Sequence, residues 1–130
     1  MSAQNPHFES SDLEDDLPEE GLHEALIHAA RLRTSERGNL TVQVIYHLIG
    51  SAAAAQGVVE YFVVEGASPT ALAISRRRLV GLYRACGLVP ETGEAIEPKD
   101  LVGARLDIRI GHESYAGTRR PRVVGYRARP

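Results

Sequence analysis

The chain is poor in the residues that would make its chemistry obvious. Among 130 residues there is one cysteine, Cys86, so neither an internal disulfide nor a cysteine zinc framework is possible. Tryptophan is absent, and aromatics are limited to five Tyr and two Phe. Lysine occurs once, at Lys99; the other fourteen basic residues are arginine. Its opening residues, MSAQNPHFES, hold no basic region and no apolar region, so no secretory signal is expected. The longest uncharged run, Gly38 to Val59, contains Asn39, Thr41, Gln43, His47, Ser51 and Gln56, and its first half alternates as a strand does, so a lipid-spanning helix and a membrane partner are not expected.

The familiar catalytic signatures are missing too. His7, His23, His28, His47 and His112 form no compact metal motif. There is no phosphate-binding glycine loop, no activated serine and no convincing carboxylate pair. Cys86 falls on an apolar helical stripe, where it reads as a small core residue. We therefore expect neither an enzyme nor a cofactor.

What is present is a charge partition hidden by a net charge of −2. Residues 1–20 carry Glu9, Asp12, Glu14, Asp15, Asp16, Glu19 and Glu20 and no Lys or Arg. All fifteen basic residues lie in residues 21–130, against ten acids. The first twenty residues, low in apolar content, read as a disordered acidic tail, and residues 21–130 as one domain. The tail either solubilises, competes with a polyanion for the basic body, or recruits a partner.

Gly21–Leu32 (GLHEALIHAARL) fits a strand, with a helix as the open alternative. RTSERGN is a turn. Leu40–Ile49 and Val58–Glu65, rich in β-branched residues, are strands joined by an Ala-rich connector. Ser75, Leu79, Leu82, Tyr83 and Cys86 then recur at helical spacing, with Ser68 or Ser75 as cap and Gly87 as stop. Val89–Lys99 is a loop and Asp100–Gly103 a turn. Ala104–Ile110 alternates as a strand, GHESYAGTRRP reads as a long polar hairpin loop, and Arg122–Ala128 as the last strand. The order β-β-β-α-β-β predicts a mainly β fold. Its leading form is an OB-like five-stranded antiparallel barrel with a helix between strands three and four. An open α+β antiparallel sheet is the alternative.

The hairpin around ERGNLTVQVIY, the helix SRRRLVGLYRACGL and the Asp100-Leu-Val-Gly103 step into ARLDIRI carry a resemblance. Over roughly residues 22–128 the chain resembles a phage- and prophage-associated family of small proteins, often encoded beside recombination genes. That family is regarded as OB-fold single-stranded-DNA-binding proteins. The resemblance implies a role in replication or recombination in the bacterial cytoplasm, with single-stranded DNA as ligand.

In an OB barrel, a groove over strands two and three is flanked by the loops joining strands one–two and four–five. Arg33 and Arg37 fall in the first of those loops. Arg119 and Arg120 fall in the second with Tyr115, and Arg122 lies just beyond it. Arg105 and Arg109 occupy the polar side of strand four. We expect these arginines to converge on one groove, with Tyr115 and either Tyr61 or Phe62 stacking on bases. Arg76–Arg78 read instead as an exposed helix face or as partners of the tail.

Tyr61 and Phe62 point to opposite faces, so strands two and three are apolar on both. A second function class follows. The domain is then an interaction module that forms homo-oligomers through these strands, without nucleic acid. A partner in replication or recombination, engaged through the acidic tail, is the further expectation.

Overall fold

The computed structural model describes residues 17–50, 57–88 and 97–129. Residues 1–16 of the acidic tail, 51–56 of the connector and 89–96 of the expected loop lie outside the described residues.

The fold is mainly β. Five strands, β1 (Gly21–Thr34), β2 (Leu40–Leu48), β3 (Val58–Glu65), β4 (Arg105–Tyr115) and β5 (Thr118–Arg127), form one antiparallel sheet. Their order is β3-β2-β1-β4-β5. One helix, α1 (Pro69–Ala85), lies between β3 and β4, and a single 3-10 turn, Pro98–Leu101, precedes β4.

β1 serves two partners. Its first part, Gly21–Leu26, pairs with β4, and its later part, Ala25–Thr34, pairs with β2. A bulge at His28 interrupts the pairing with β2 between Ile27 and Ala29. The extra residue resets the two-residue alternation of side chains. Before it, odd-numbered Ala25 and Ile27 face the core; after it, even-numbered Ala30 does. Arg31 and Arg33 are odd-numbered. Without the bulge they would point into the core; with it they stand exposed on the outer face. Ala104 and Gly103 secure the bulge: Ile27 N donates to Ala104 O (2.9 Å) and Gly103 N to Ile27 O (2.8 Å).

The core side of β2 is Val42, Val44, Tyr46 and Leu48; β4 adds Leu106, Ile108 and Ile110. Leu79, Leu82 and Tyr83 of α1 pack into the same cluster, and Cys86 packs half-buried against it. Ser68 is the N-cap, its Oγ accepting from Ala71 N (3.2 Å), with Pro69 in the first turn. At the other end Leu88 N donates to Tyr83 O and Gly87 N to Arg84 O, with Gly87 at φ 79°. That is a Schellman stop, which needs a residue tolerant of positive φ.

One expectation is corrected. Residues 111–121 form the expected hairpin connection but not a long loop: β4 and β5 stay paired out to Tyr115 opposite Thr118. The turn is only Ala116–Gly117, with φ of 52° and 82°. Two successive positive φ values suit the twist of a tight hairpin. The hairpin therefore projects as a rigid arm. A bulge between Arg109 and Ile110 lies at its base.

Among the described residues no ladder joins the two outermost strands, so the sheet is unclosed. β3 and β5 meet through side chains instead. Glu60 of β3, only 6% exposed, accepts from Tyr46 Oη (2.8 Å) on β2 and from Tyr126 Oη (2.6 Å) on β5. Arg78 of α1 pairs with the same carboxylate, its guanidinium 5.1 Å from the Phe62 ring centroid. One carboxylate thus ties together three strands' worth of packing and the helix. Among the described residues, no helix is long and apolar enough to cross a membrane.

Candidate nucleic-acid interface

The outer face of β1, β2 and β3 is built in cross-strand rows. Residues directly opposite on neighbouring strands share a face. Ala29, Ile45 and Val59 form one row; Arg31, Gln43 and Tyr61 the next; Arg33, Thr41 and Val63 the third. Arg31 Nε donates to Gln43 Oε1 (2.9 Å), and Gln43 Nε2 donates to Tyr61 Oη (3.0 Å). Gln43 is buried beneath this chain of bonds, while Tyr61 is 55% exposed. Thr41 Oγ1 donates to the Arg33 carbonyl (3.0 Å), which fixes the third row. A large aromatic ring thus stands in solvent with its hydroxyl already held. Its ordering entropy is largely spent on folding.

Tyr61 also separates two concavities. One, about 350 Å³, is lined by Arg33–Glu36, Thr41 and Tyr61. The other, about 460 Å³, opens between Gly57–Tyr61 of β3 and Arg120–Val123 of β5, with Arg78 and Glu113. The ring is the only residue common to both.

The hairpin supplies cations to the second concavity. Arg120 Nε donates to Glu113 Oε2 (2.6 Å), and Arg122 Nε is 4.0 Å from Glu113 Oε1. Two guanidiniums therefore share one carboxylate. Arg120 also lies over the Tyr115 ring, 4.4 Å from its centroid. Tyr115 is 64% exposed, but one of its two faces is taken by this cation–π contact. Arg119 is on the opposite side of the strand, where its Nη2 donates to His112 Nδ1 (2.8 Å).

The expected site residues therefore divide. Arg33, Tyr61, Arg120 and Arg122 line the two concavities. Arg37 is exposed in the Ser35–Asn39 turn, outside both. Phe62 is corrected: with no exposure it belongs to the core and offers no ring to a base, and Tyr61 is the outward member of the pair. Arg105 and Arg109 are corrected as members of one groove. Both are exposed on β4 and line neither concavity. Arg105 is 3.7 Å from Glu24, in a cluster where Arg127 (3.0 Å) and Arg129 (2.7 Å) grip Asp107.

No family model and no curated protein matches this chain.

Two functional candidates escaped the sequence reading. Arg31 is two residues before Arg33, so it shares the outer face once β1 runs past Leu32. Arg78 turns inward to Glu60 rather than outward; the signal was Glu60 itself, an acid between Val58 and Phe62 in an otherwise apolar row. Among the described residues, no group of three or more His, Cys, Asp or Glu could hold a metal ion.

Burial raises the Glu60 carboxyl pKa; hydrogen bonds from Tyr126 and Tyr46 and the charge of Arg78 offset only part of this. Tyr126 is raised as well, by burial and then by the neighbouring Glu60 charge. The seam is thus a buried, hydrogen-bonded fastening beside the second concavity.

Proposed function

We propose that the protein binds single-stranded DNA without sequence preference, through the outer face of β1–β3 and the neighbouring hairpin. The observation that carries this reading is the Arg31–Gln43–Tyr61 row between two concavities rimmed by Arg33 and by Arg120 and Arg122. A base stacks on the Tyr61 face, and phosphates on either side meet guanidiniums. Nothing in this arrangement discriminates between bases, because every base has a π-face. The family resemblance adds the setting: phage or prophage replication or recombination, in the host cytoplasm.

The test is a fluorescence titration with oligo-dT and with a matched duplex, at low and high salt. Binding should favour the single strand. Neutralising the four phosphates nearest Arg31, Arg33, Arg120 and Arg122 gives a log–log salt slope of about −2.8. Tyr61→Ala should weaken binding about tenfold or more, since stacking contributes about 1–3 kcal/mol per base. A salt-independent signal, or an unchanged Tyr61→Ala affinity, overturns the assignment.

A second reading has its own observation. Val59 is well exposed beside Tyr61, and Ile45 and Val63 are half-buried on the same face. That apolar strip suits a second copy of the chain. Sedimentation with and without oligo-dT separates the two: a stable oligomer that oligo-dT leaves unchanged favours the interaction module.

A further inference from the structure

We propose that the acidic segment Glu9–Asp16 docks into the cleft between β3 and β5 and excludes nucleic acid from it. This inference rests on the single-stranded-DNA reading for its consequence, though not for the docking itself.

The first support is where the chain is held. Leu17–Glu20, just after the segment, is fastened to β4 and β1. His112 Nε2 donates to Pro18 O (2.7 Å) and His112 N to Glu20 Oε2 (3.1 Å), while His23 Nε2 donates to Glu19 O (2.6 Å). The bond from Arg119 to His112 Nδ1 leaves the proton on Nε2, as the bond to Pro18 requires. Pro18 is buried. The acidic segment is thus delivered to the base of the hairpin arm at a defined point.

The second support is reach. His112 lies directly opposite Pro121 in the β4–β5 ladder, and Pro121 lines the cleft. Opposed residues are only about 5 Å apart. His112 and Arg119 face the other side of the hairpin from Arg120 and Arg122, so the segment must pass round the arm; eight extended residues span about 26 Å, enough for that path.

The third support is chemical fit. Glu9, Asp12, Glu14, Asp15 and Asp16 bring five negative charges and no positive one. The cleft presents Arg120 and Arg122, which share the single carboxylate of Glu113, with Arg78 behind them. Leu13 is the one apolar side chain between Ser10 and Asp16, and Pro121 and Val123 offer it a surface. Among the described residues the β3 and β5 edges there lack a ladder partner, as an extended occupant needs. An acidic extended segment carries the same charge as a phosphate backbone, so the two exclude one another.

The experiment uses the full chain and a variant carrying Glu9→Gln, Asp12→Asn, Glu14→Gln, Asp15→Asn and Asp16→Asn, with Leu17–Glu20 untouched. Amide and arginine Nε–H resonances are compared without nucleic acid, at low and high salt. Differences should concentrate on Gly57–Tyr61 and Arg120–Val123, and high salt should move the native spectrum toward that of the variant. Superimposable spectra, or differences elsewhere, overturn the docking. Shifts that depend on protein concentration place the segment on a second copy and overturn the self-docked form. With oligo-dT at low salt, the variant should bind about tenfold tighter, the gap closing as salt rises. Equal affinities overturn the exclusion. If neither chain binds oligo-dT, the nucleic-acid reading fails while the spectra still decide the docking.

Discussion

Glu60 and Asp107 are almost equally enclosed, 6% and 5% exposed, yet they hold their arginines to opposite effect. Glu60 faces inward at the seam, where burial outweighs two tyrosine hydroxyls and Arg78 and keeps its carboxyl above the ordinary value. Asp107 faces outward. Burial would raise it as well, but hydrogen bonds from Arg127 and Arg129 prevail and hold it below the ordinary value. Glu60 is therefore a fastening between strands that share no ladder. Asp107, with Glu24, is a sink for the guanidiniums of Arg105, Arg127 and Arg129. A cation matched by its own fixed carboxylate is less available to a phosphate than Arg31, whose partner Gln43 is neutral, or than Arg120 and Arg122, which share one carboxylate between them. The number of arginines on a face is thus a poor guide to where a polyanion binds. The carboxylates beside them decide it.

The comparison is broken most severely at the seam. Glu60→Ala strands the buried Tyr46 hydroxyl and that of Tyr126, and urea unfolding should show a loss of about 3 kcal/mol. Glu60→Gln keeps an acceptor and should cost clearly less. Equal losses for the two variants would mean that side-chain volume, not the hydrogen bonds, holds β3 beside β5. Asp107→Asn is the matched control on the outer face and should destabilise less than Glu60→Ala.

The functional half of the comparison is sharpened by paired arginine variants. Arg31→Gln with Arg33→Gln should weaken oligo-dT binding about tenfold and flatten the salt slope by about 1.4. Arg105→Gln with Arg127→Gln should leave both nearly unchanged, because those cations already face Glu24 and Asp107. A similar loss from both pairs would show that the outer face of β4 contacts the strand after all. The converse variant, Glu24→Gln with Asp107→Asn, releases Arg105, Arg127 and Arg129. It should strengthen binding a few-fold and steepen the slope by about 0.7 or more.

Much of this architecture is legible in the chain. The β-branched runs of β2 and β3 announce themselves, and Ser68-Pro69 and Gly87 bracket α1 as capping chemistry requires. The alternation in VVEYFVVE already separates Tyr61 from Phe62; only the choice of face needed the packing of Val42 and Leu79. The His28 bulge was hidden, because an extra residue shows only against the partner strand. Yet it decides that Arg31 and Arg33 face outward. The length of the hairpin's paired arm was hidden for another reason. Its residues are polar on both sides, and Ala116 occupies a positive-φ position that Asn or Gly would have signalled. The convergence of arginines was read from their chain positions, whereas Glu24 and Asp107 divide them, and that division depends on cross-strand neighbours.

The smallest expected effect separates the two carboxylates by sign. Glu60 is raised in the folded chain, so between the ordinary value of 4.5 and its folded value the native state binds more protons than the unfolded state. Its contribution is then full below 4.5 and is lost as pH rises through the folded value. Asp107 is lowered, so its contribution is present above the ordinary value of 3.8 and is lost as pH falls through its folded value. Urea unfolding from neutral to acid pH should therefore show Glu60 adding stability on the way down and Asp107 removing it further down. Glu60→Gln should erase the first limb alone and Asp107→Asn the second alone. If Glu60→Gln also erased the acid limb, the two sites would be coupled through β4 and β5. The division between a fastening and a sink would then be one network seen from two sides.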